Sequence, residues 1–511
     1  MMKKIILLML ILALALAKTG LQAATITVGP GSGYDSETIQ AGIDAANNGD
    51  TVLVASGQYV ITEPITFRGK PITMKSEAGA DETTIRMGTP NDSKRASVVV
   101  FENNETATSV LQGFTITGGR GCFYTDPRPG YSGMHGGGIV CTTASPTITD
   151  CIITQNTAYN CGGLSVGLGS FPTVINCIIS NNTIVGAGAG INCWGNSSAT
   201  MTNCIIRGNS TTGTSLGYNG GGGGVLCGID SDLTMNNCTV SENSAGVAGG
   251  GILCWENGTL TMNHCMITDN TAARDGGIGS HGSWMALTHC IIARNTAQMY
   301  NGGIKSASDS FMSITNCTIF DNSAGQYAGG VYIPDRSSAT ITNSILRNNT
   351  APLGPEIYMD SLSSKLNVTF SNVAGGEAGV YQGGSSTIDW GAGNLDAAPH
   401  FSDPGNGDYH LKSQTGRWDP ISQIWIQDDV TSPCIDAGDP MSPIGPEAFP
   451  NGGFVNMGAY GSTPEASKSY FGEPICETII AGDINGDCKV DWADLEIMAL
   501  HWTDDEPLSL P

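Results

Sequence analysis

GGGILCWENGTLTMNHCMITDN, residues 249–270, is one unit of a pattern that the chain repeats eight times between residues 136 and 349. Cys265 of this unit has counterparts at Cys151, Cys177, Cys204, Cys238, Cys290, Cys317 and Ser344, at successive spacings of 26, 27, 34, 27, 25, 27 and 27 residues. Five residues after each stands an asparagine: Asn156, Asn182, Asn209, Asn243, Asn270, Asn295, Asn322 and Asn349. A fixed period in this range is the signature of a repeat architecture. Glycine clusters precede every unit, and apolar residues stand three before and two after the ladder position, as Met262 and Ile267 do around Cys265. That spacing describes short strands with inward apolar positions, separated by tight turns.

A unit this short cannot bury its own apolar face, so it must stack on its copies. One coil per repeat, with strands in register about 4.8 Å apart, places like on like: a Cys column, aliphatic columns and an Asn column. These stacked columns resemble the right-handed parallel β-helix of the pectin lyase-like superfamily, over roughly residues 25–390. The resemblance implies an all-β fold, a solenoid of about 25–27 residues per coil with an N-terminal helical cap. For function it implies less, because that superfamily holds lyases, hydrolases, adhesins and inert scaffolds.

Composition agrees with a stack of turns. Glycine supplies 70 of 511 residues and charged residues are 13% of the chain, about half the usual share. The formal net charge of −24 repels nucleic acid, and the chain forms no basic patch, so nucleic-acid binding is excluded. Residues 1–24 read as a secretory signal peptide, with Lys3 and Lys4 before an apolar run and small residues near Ala23; no later segment is apolar enough for a membrane span in the mature form. Secretion ordinarily favours disulfides among 16 cysteines. A cysteine that recurs once per coil instead fills a core slot, and Cys141, Cys193, Cys227 and Cys254 form a second such column.

Residues 38–46 read as a short amphipathic helix with Ile39 and Ile43 on one face, suited to capping an open solenoid end. Two units are longer than the rest, around residues 118–136 and 209–220, and both interrupt the same turn, so they project from one side. Residues 391–462 read as an irregular C-terminal cap and 463–480 as a linker. In the segment 481–505, DINGDCKVDWAD at 483–494 sets oxygen donors Asp483, Asn485, Asp487, Asp491 and Asp494 and the Lys489 carbonyl at Ca²⁺-loop spacing, with a helix after them. It resembles one calcium repeat of a type I dockerin, which implies Ca²⁺ and a cohesin-like partner. Cys488 replaces the expected glycine, and the second repeat is absent.

Two outward columns carry the candidate chemistry. Before the ladder Asn stand Glu242, Asp269, Arg294 and Asp321 in consecutive coils, carboxylates around one Arg suited to acid and base work or to solvated ion pairs. After the glycine cluster stand Trp194, Trp255 and His281, where flat indoles suit stacking on sugar rings or packing under a loop. His264 and His289 replace Asn at a turn and read as turn residues rather than metal ligands. The short aspartate motifs of β-helix polygalacturonases and the calcium and arginine pattern of pectate lyases are not present. Two readings stay open: a secreted protein that binds and cleaves a polysaccharide by lyase or hydrolase chemistry, and a non-catalytic adhesive scaffold.

Overall fold

Each repeat has to turn the chain back on itself, and residues at positive φ do the turning. The computed structural model describes residues 23–125, 132–213, 221–359, 363–470, 490 and 492–500. In it the residue before each ladder Cys is left-handed, with Asn237 and His264 both at φ 51°. So is the residue before each ladder Asn, with Glu242 at 57° and Asp269 at 59°. A third bend opens the glycine cluster, at Gly249 (63°), Asp275 (55°) and Asn301 (64°). Gly, Asn and Asp are the residues that tolerate this conformation most cheaply.

Between the bends lie three long parallel sheets: sheet A with 14 strands from Thr25–Val28 to Thr387–Trp390, sheet B with 12 from Gly57–Ile61 to Asn372–Val373, and sheet C with 12 from Ile65–Thr66 to Tyr381–Gln382. A fourth, seven-stranded sheet of short segments follows sheet B in the coil. One full coil runs Ile252–Trp255 in sheet C, Thr259–Asn263 in sheet A, Met266–Thr268 in sheet B and Thr271–Arg274 in the short sheet. Register is strict, so Met235 pairs with Met262 and Met262 with Leu287, and the apolar columns fuse into one continuous core. The architecture is an all-β parallel solenoid.

The asparagine column is fully buried and hydrogen-bonded from coil to coil. Asn243 Oδ1 accepts from the backbone N and the Nδ2 of Asn209, both at 3.0 Å. Its own Nδ2 donates to Ile206 O at 2.9 Å and to Asn270 Oδ1 at 3.0 Å. The same set recurs at every step to Asn349, where a different group closes the column: Glu356 accepts from Asn349 N at 3.3 Å and from its Nδ2 at 2.5 Å. Burial pushes the Glu356 carboxyl up to about 7, against those two hydrogen bonds.

All 14 described cysteines are buried free thiols. Those of the ladder donate to the carbonyl two residues back, as Cys177 Sγ does to Ile175 O at 3.2 Å. In the second column, burial pushes the Cys193 thiol up to about 12.

The helix Ile39–Ala45 forms with Ile39 and Ile43 buried, and the Thr38 side chain accepts from Ala41 N at its start. The C-terminal segment lies along the side of the stack. Phe401, Tyr409, Leu411, Ile435 and Met457 pack on Ile291, Ala293, Phe320 and Ile345, outward residues of sheet B. Backbone bonds fix it there, including Gly458 N to Asn343 O at 2.8 Å. The signal segment up to residue 22, both insertion tips (126–131 and 214–220), and Cys476 and Cys488 lie outside the described residues. None of the described helices is long and apolar enough to cross a membrane.

Replacing Asn243 by Ala strands the buried Asn209 N–H and one Nδ2 hydrogen of Asn209, and removes the side-chain donors to Ile206 O and Asn270 Oδ1. We expect a loss of about 3 kcal/mol or more in thermal or denaturant unfolding, against less than about 0.5 kcal/mol for Thr234→Ala on the open face.

Candidate functional site

Position in the coil decides what each outward side chain meets. On sheet C the second and fourth residues of each strand point away from the core, yet most of them are buried, because the turn that precedes the glycine cluster folds over them. At the N-terminal end the first long unit does this with a hairpin, Gly121–Tyr124 against Gly133–His135. Its Cys122 and Tyr124 pack on Val100 and Val140, and His135 stacks on Trp194 with ring centroids 4.9 Å apart. Trp194 is 5% exposed, lies over Gly167 and donates from Nε1 to Ser165 Oγ at 3.2 Å. In this arrangement it offers little surface to a sugar ring.

Further along the face the character changes from apolar to charged. Trp255 is half-buried, and its ring meets His281 with centroids 4.6 Å apart. His281 Nε2 lies 3.3 Å from Lys305 Nζ, and Asp275 Oδ2 lies 3.6 Å from Lys305 Nζ and 4.0 Å from His281 Nε2. Asp275 is fully buried; its Oδ1 accepts from Asn301 Nδ2 at 3.2 Å, and its Oδ2 has no hydrogen-bond partner. Gly279 makes the site possible, since a Cβ there would stand 2.9 Å from that Oδ2.

Burial raises the Asp275 carboxyl despite Lys305, Asn301 and Arg274. Burial, with Lys305 and then Arg274 beside it, pushes the His281 imidazole down to about 3. His281 is therefore neutral at ordinary pH. Because an ammonium can only donate, its Nε2 is the acceptor from Lys305 and its proton sits on Nδ1.

Tyrosines wall the far side. Arg274 lies 5.2 Å over the Tyr300 ring, and Tyr300, Tyr327, Tyr358 and Tyr381 stack in sequence at 5.1, 4.8 and 4.5 Å. Tyr332 stands edge-on to three of them, and Lys305 Nζ lies 5.8 Å from its ring. The whole arrangement sets two cations and one carboxylate on an aromatic wall, in a chain whose net charge is −24.

The column before the ladder Asn faces outward, with Glu242, Asp269 and Asp321 exposed and Arg294 partly so. Its members are not gathered at one centre. Arg294 Nε and Nη2 hold the Asp269 carboxylate at 2.9 Å each, and its Nη1 donates to Tyr409 OH of the C-terminal segment at 2.8 Å. Of the Ca²⁺-loop donors, Asp483, Asn485, Asp487, Lys489 and Asp491 lie outside the described residues. Asp494 is described, 3% exposed in the first turn of the helix Trp492–Leu500.

Asp275 and Lys305 were not singled out from the sequence, although a signal existed. The residue opening the glycine cluster, Gly in most coils, becomes Asp275 and then Asn301 in neighbouring coils, next to the lone outward Lys.

The neutral state of His281 carries a sign. A base whose folded pKa lies below its unfolded value of 6.5 contributes stability above 6.5, which is lost as pH falls toward 3. Imidazole NMR of histidine-labelled protein is expected to show His281 neutral at pH 5, and Lys305→Met is expected to raise its pKa.

Comparison with known proteins bears on the fold. A family described as "Right handed beta helix region" matches residues 90–221 and 131–283, and one described as "Disaggregatase related" matches residues 339–438. No curated protein matches. Among solved structures, pectate lyase Pel9A is 13% identical over 86% of this chain and 97% of its own, with a TM-score of 0.41. The catalytic unit of a thermostable GH87 α-1,3-glucanase from Streptomyces thermodiastaticus strain HF3-3 is 15% identical over 74% and 70%, with a TM-score of 0.33. The first of the two family matches agrees, over residues 90–283, with the right-handed winding expected from the ladders.

Proposed function

We propose that this protein acts outside the cell on a polysaccharide bearing acidic sugars, at the outer face of sheet C around Asp275, His281 and Lys305. The observation that carries this reading is the contact of Lys305 with both a neutral imidazole and a buried carboxylate beside a half-buried aromatic wall. Buried ionisable groups are costly, and they persist where chemistry uses them. Arg274 and Lys305 together give this spot positive character in an acidic chain, so a uronate is favoured over a neutral sugar.

The residue types favour elimination over hydrolysis. Hydrolysis calls for two carboxyl groups about 5–10 Å apart; among the described residues Asp275 is the carboxyl group beside Lys305 and His281, and Glu102, towards the N-terminal end of the same face, is paired with Arg95. Elimination calls for a base to take the proton next to a uronate carboxyl while that carboxylate is held by a cation. In that elimination Lys305, once it has passed a proton to His281 Nε2, takes the proton next to the carboxyl while Arg274 holds the carboxylate, and as the C–O bond to the next sugar breaks the departing oxygen takes a proton back from the Lys305–His281 pair. Asp275 keeps the Lys305 amine in place.

Around this site we read residues 1–24 as the secretory signal, the helix Ile39–Ala45 as the N-terminal cap, 391–462 as the C-terminal cap and 463–480 as a linker. Residues 481–505 are read as a Ca²⁺ loop and helix, with a cohesin-like protein as the partner that a dockerin-like segment implies. The buried Asp494 at the start of its helix suits the last ligand of such a loop.

Incubation with pectate and alginate is expected to release unsaturated oligosaccharides, and Lys305→Ala, made together with Asp275→Asn so that no buried carboxylate loses its cation, to slow that release by about 10²–10⁴-fold relative to Asp275→Asn alone. Retained binding without any product favours the scaffold reading. Calorimetric titration of the full-length protein is expected to show one Ca²⁺ site that Asp483→Ala abolishes; no uptake refutes the loop.

A further inference from the structure

Sheet C and the C-terminal part of sheet B have covered outer faces, but sheet A does not. Its strands from Ser198–Thr202 to Ser338–Thr342 alternate buried and open positions without a break, whereas Ile304–Ala307 of sheet C and Thr318–Phe320 of sheet B are buried throughout. The open positions form three straight columns along the solenoid, neighbours about 4.8 Å apart. Most are Ser or Thr, and Asp232 is the one charge in this stretch. A chain with a net charge of −24 thus keeps one broad face almost neutral.

Two aromatic rings interrupt that face. Trp284 is 56% exposed, and Phe311 follows it in the next coil of the same column, ring centroids 4.7 Å apart. In the adjacent column the residues beside them are Ala286 and Ser313, where the flanking coils have Thr261 and Thr340. The smallest side chains of that column stand next to its two rings, which are tilted 48° to each other. An exposed indole of this size in water marks a contact surface. Aromatic faces bordered by hydroxyls match the C–H face and hydroxyl rim of a pyranose.

We propose that sheet A, centred on Trp284 and Phe311, is a binding surface for an uncharged, flat-ribbon β-1,4-linked polysaccharide lying along the solenoid axis. The exposed aromatic pair, the near absence of charge and the straight hydroxyl columns select that ligand. An acidic glycan meets no cation in this stretch, and a second copy of the chain would set hydroxyl columns against hydroxyl columns around one apolar pair. The inference goes beyond the reaction assigned to sheet C and does not depend on it.

Sedimentation of the full-length protein with microcrystalline cellulose tests it, with soluble pectate in affinity electrophoresis as the second probe. Wild type is expected to deplete onto cellulose, and Trp284→Ala to weaken that binding about tenfold, with unchanged unfolding and unchanged pectate retention. Lys305→Ala is expected to leave cellulose binding intact. Absence of cellulose binding, equal binding by Trp284→Ala, loss of pectate retention in that variant, or loss of a concentration-dependent dimer in place of cellulose binding each overturns the proposal.

Discussion

A buried primary amide has to find four partners, and in this chain three come from the ladder asparagines of the adjacent coils and the fourth is a backbone carbonyl. Asn182 Oδ1 accepts from Asn156, Asn209 Oδ1 from Asn182, and so on to Glu356, so each coil supplies the acceptor that the previous coil needs. An amide left unpaired in the core costs on the order of 1–3 kcal/mol. The ladder therefore penalises any coil out of register, and register in turn aligns the Cys, Met and Ile columns. Repetition is the condition for stability, which is why so much of the sequence is identical in role.

What repetition leaves free is the outward side chains, and the three long sheets use that freedom differently. Sheet B takes apolar residues and accepts the C-terminal segment. Sheet A takes hydroxyls and stays open. Sheet C takes aromatic and charged residues under overhanging turns, and there Asp275 is buried with Lys305, Asn301 and Arg274 to offset its desolvation. Replacing such a group by an apolar one is often neutral or stabilising for a fold. Its presence beside the wall of Tyr300, Tyr327, Tyr332 and Tyr358 is what favours this face for the proposed site.

The solenoid was legible because period, ladder and turn residue coincide: His264 and His289, read as turn residues, do sit at φ 51° and stack at 4.6 Å. Buried thiols were legible for the same reason. The site was half legible. Trp255 and His281 stood in an outward column that the spacing identifies, but Asp275 belongs to a bend and Lys305 to the strand of the next coil, and nothing in linear spacing says that Gly279 opens the gap between them. The pairing of Arg294 with Asp269 and Tyr409 was equally hidden, since it depends on a segment 115 residues further on folding back over sheet B.

The claim that sheet C is the acting face is tested most directly by hydrogen exchange of the full-length protein with and without a soluble oligouronate. The account predicts added protection in Ile278–His281, Ile304–Ala307 and the tyrosine-bearing turns, with sheet A unchanged. Protection centred on the Glu242–Asp321 column or on sheet A, with none on sheet C, contradicts it.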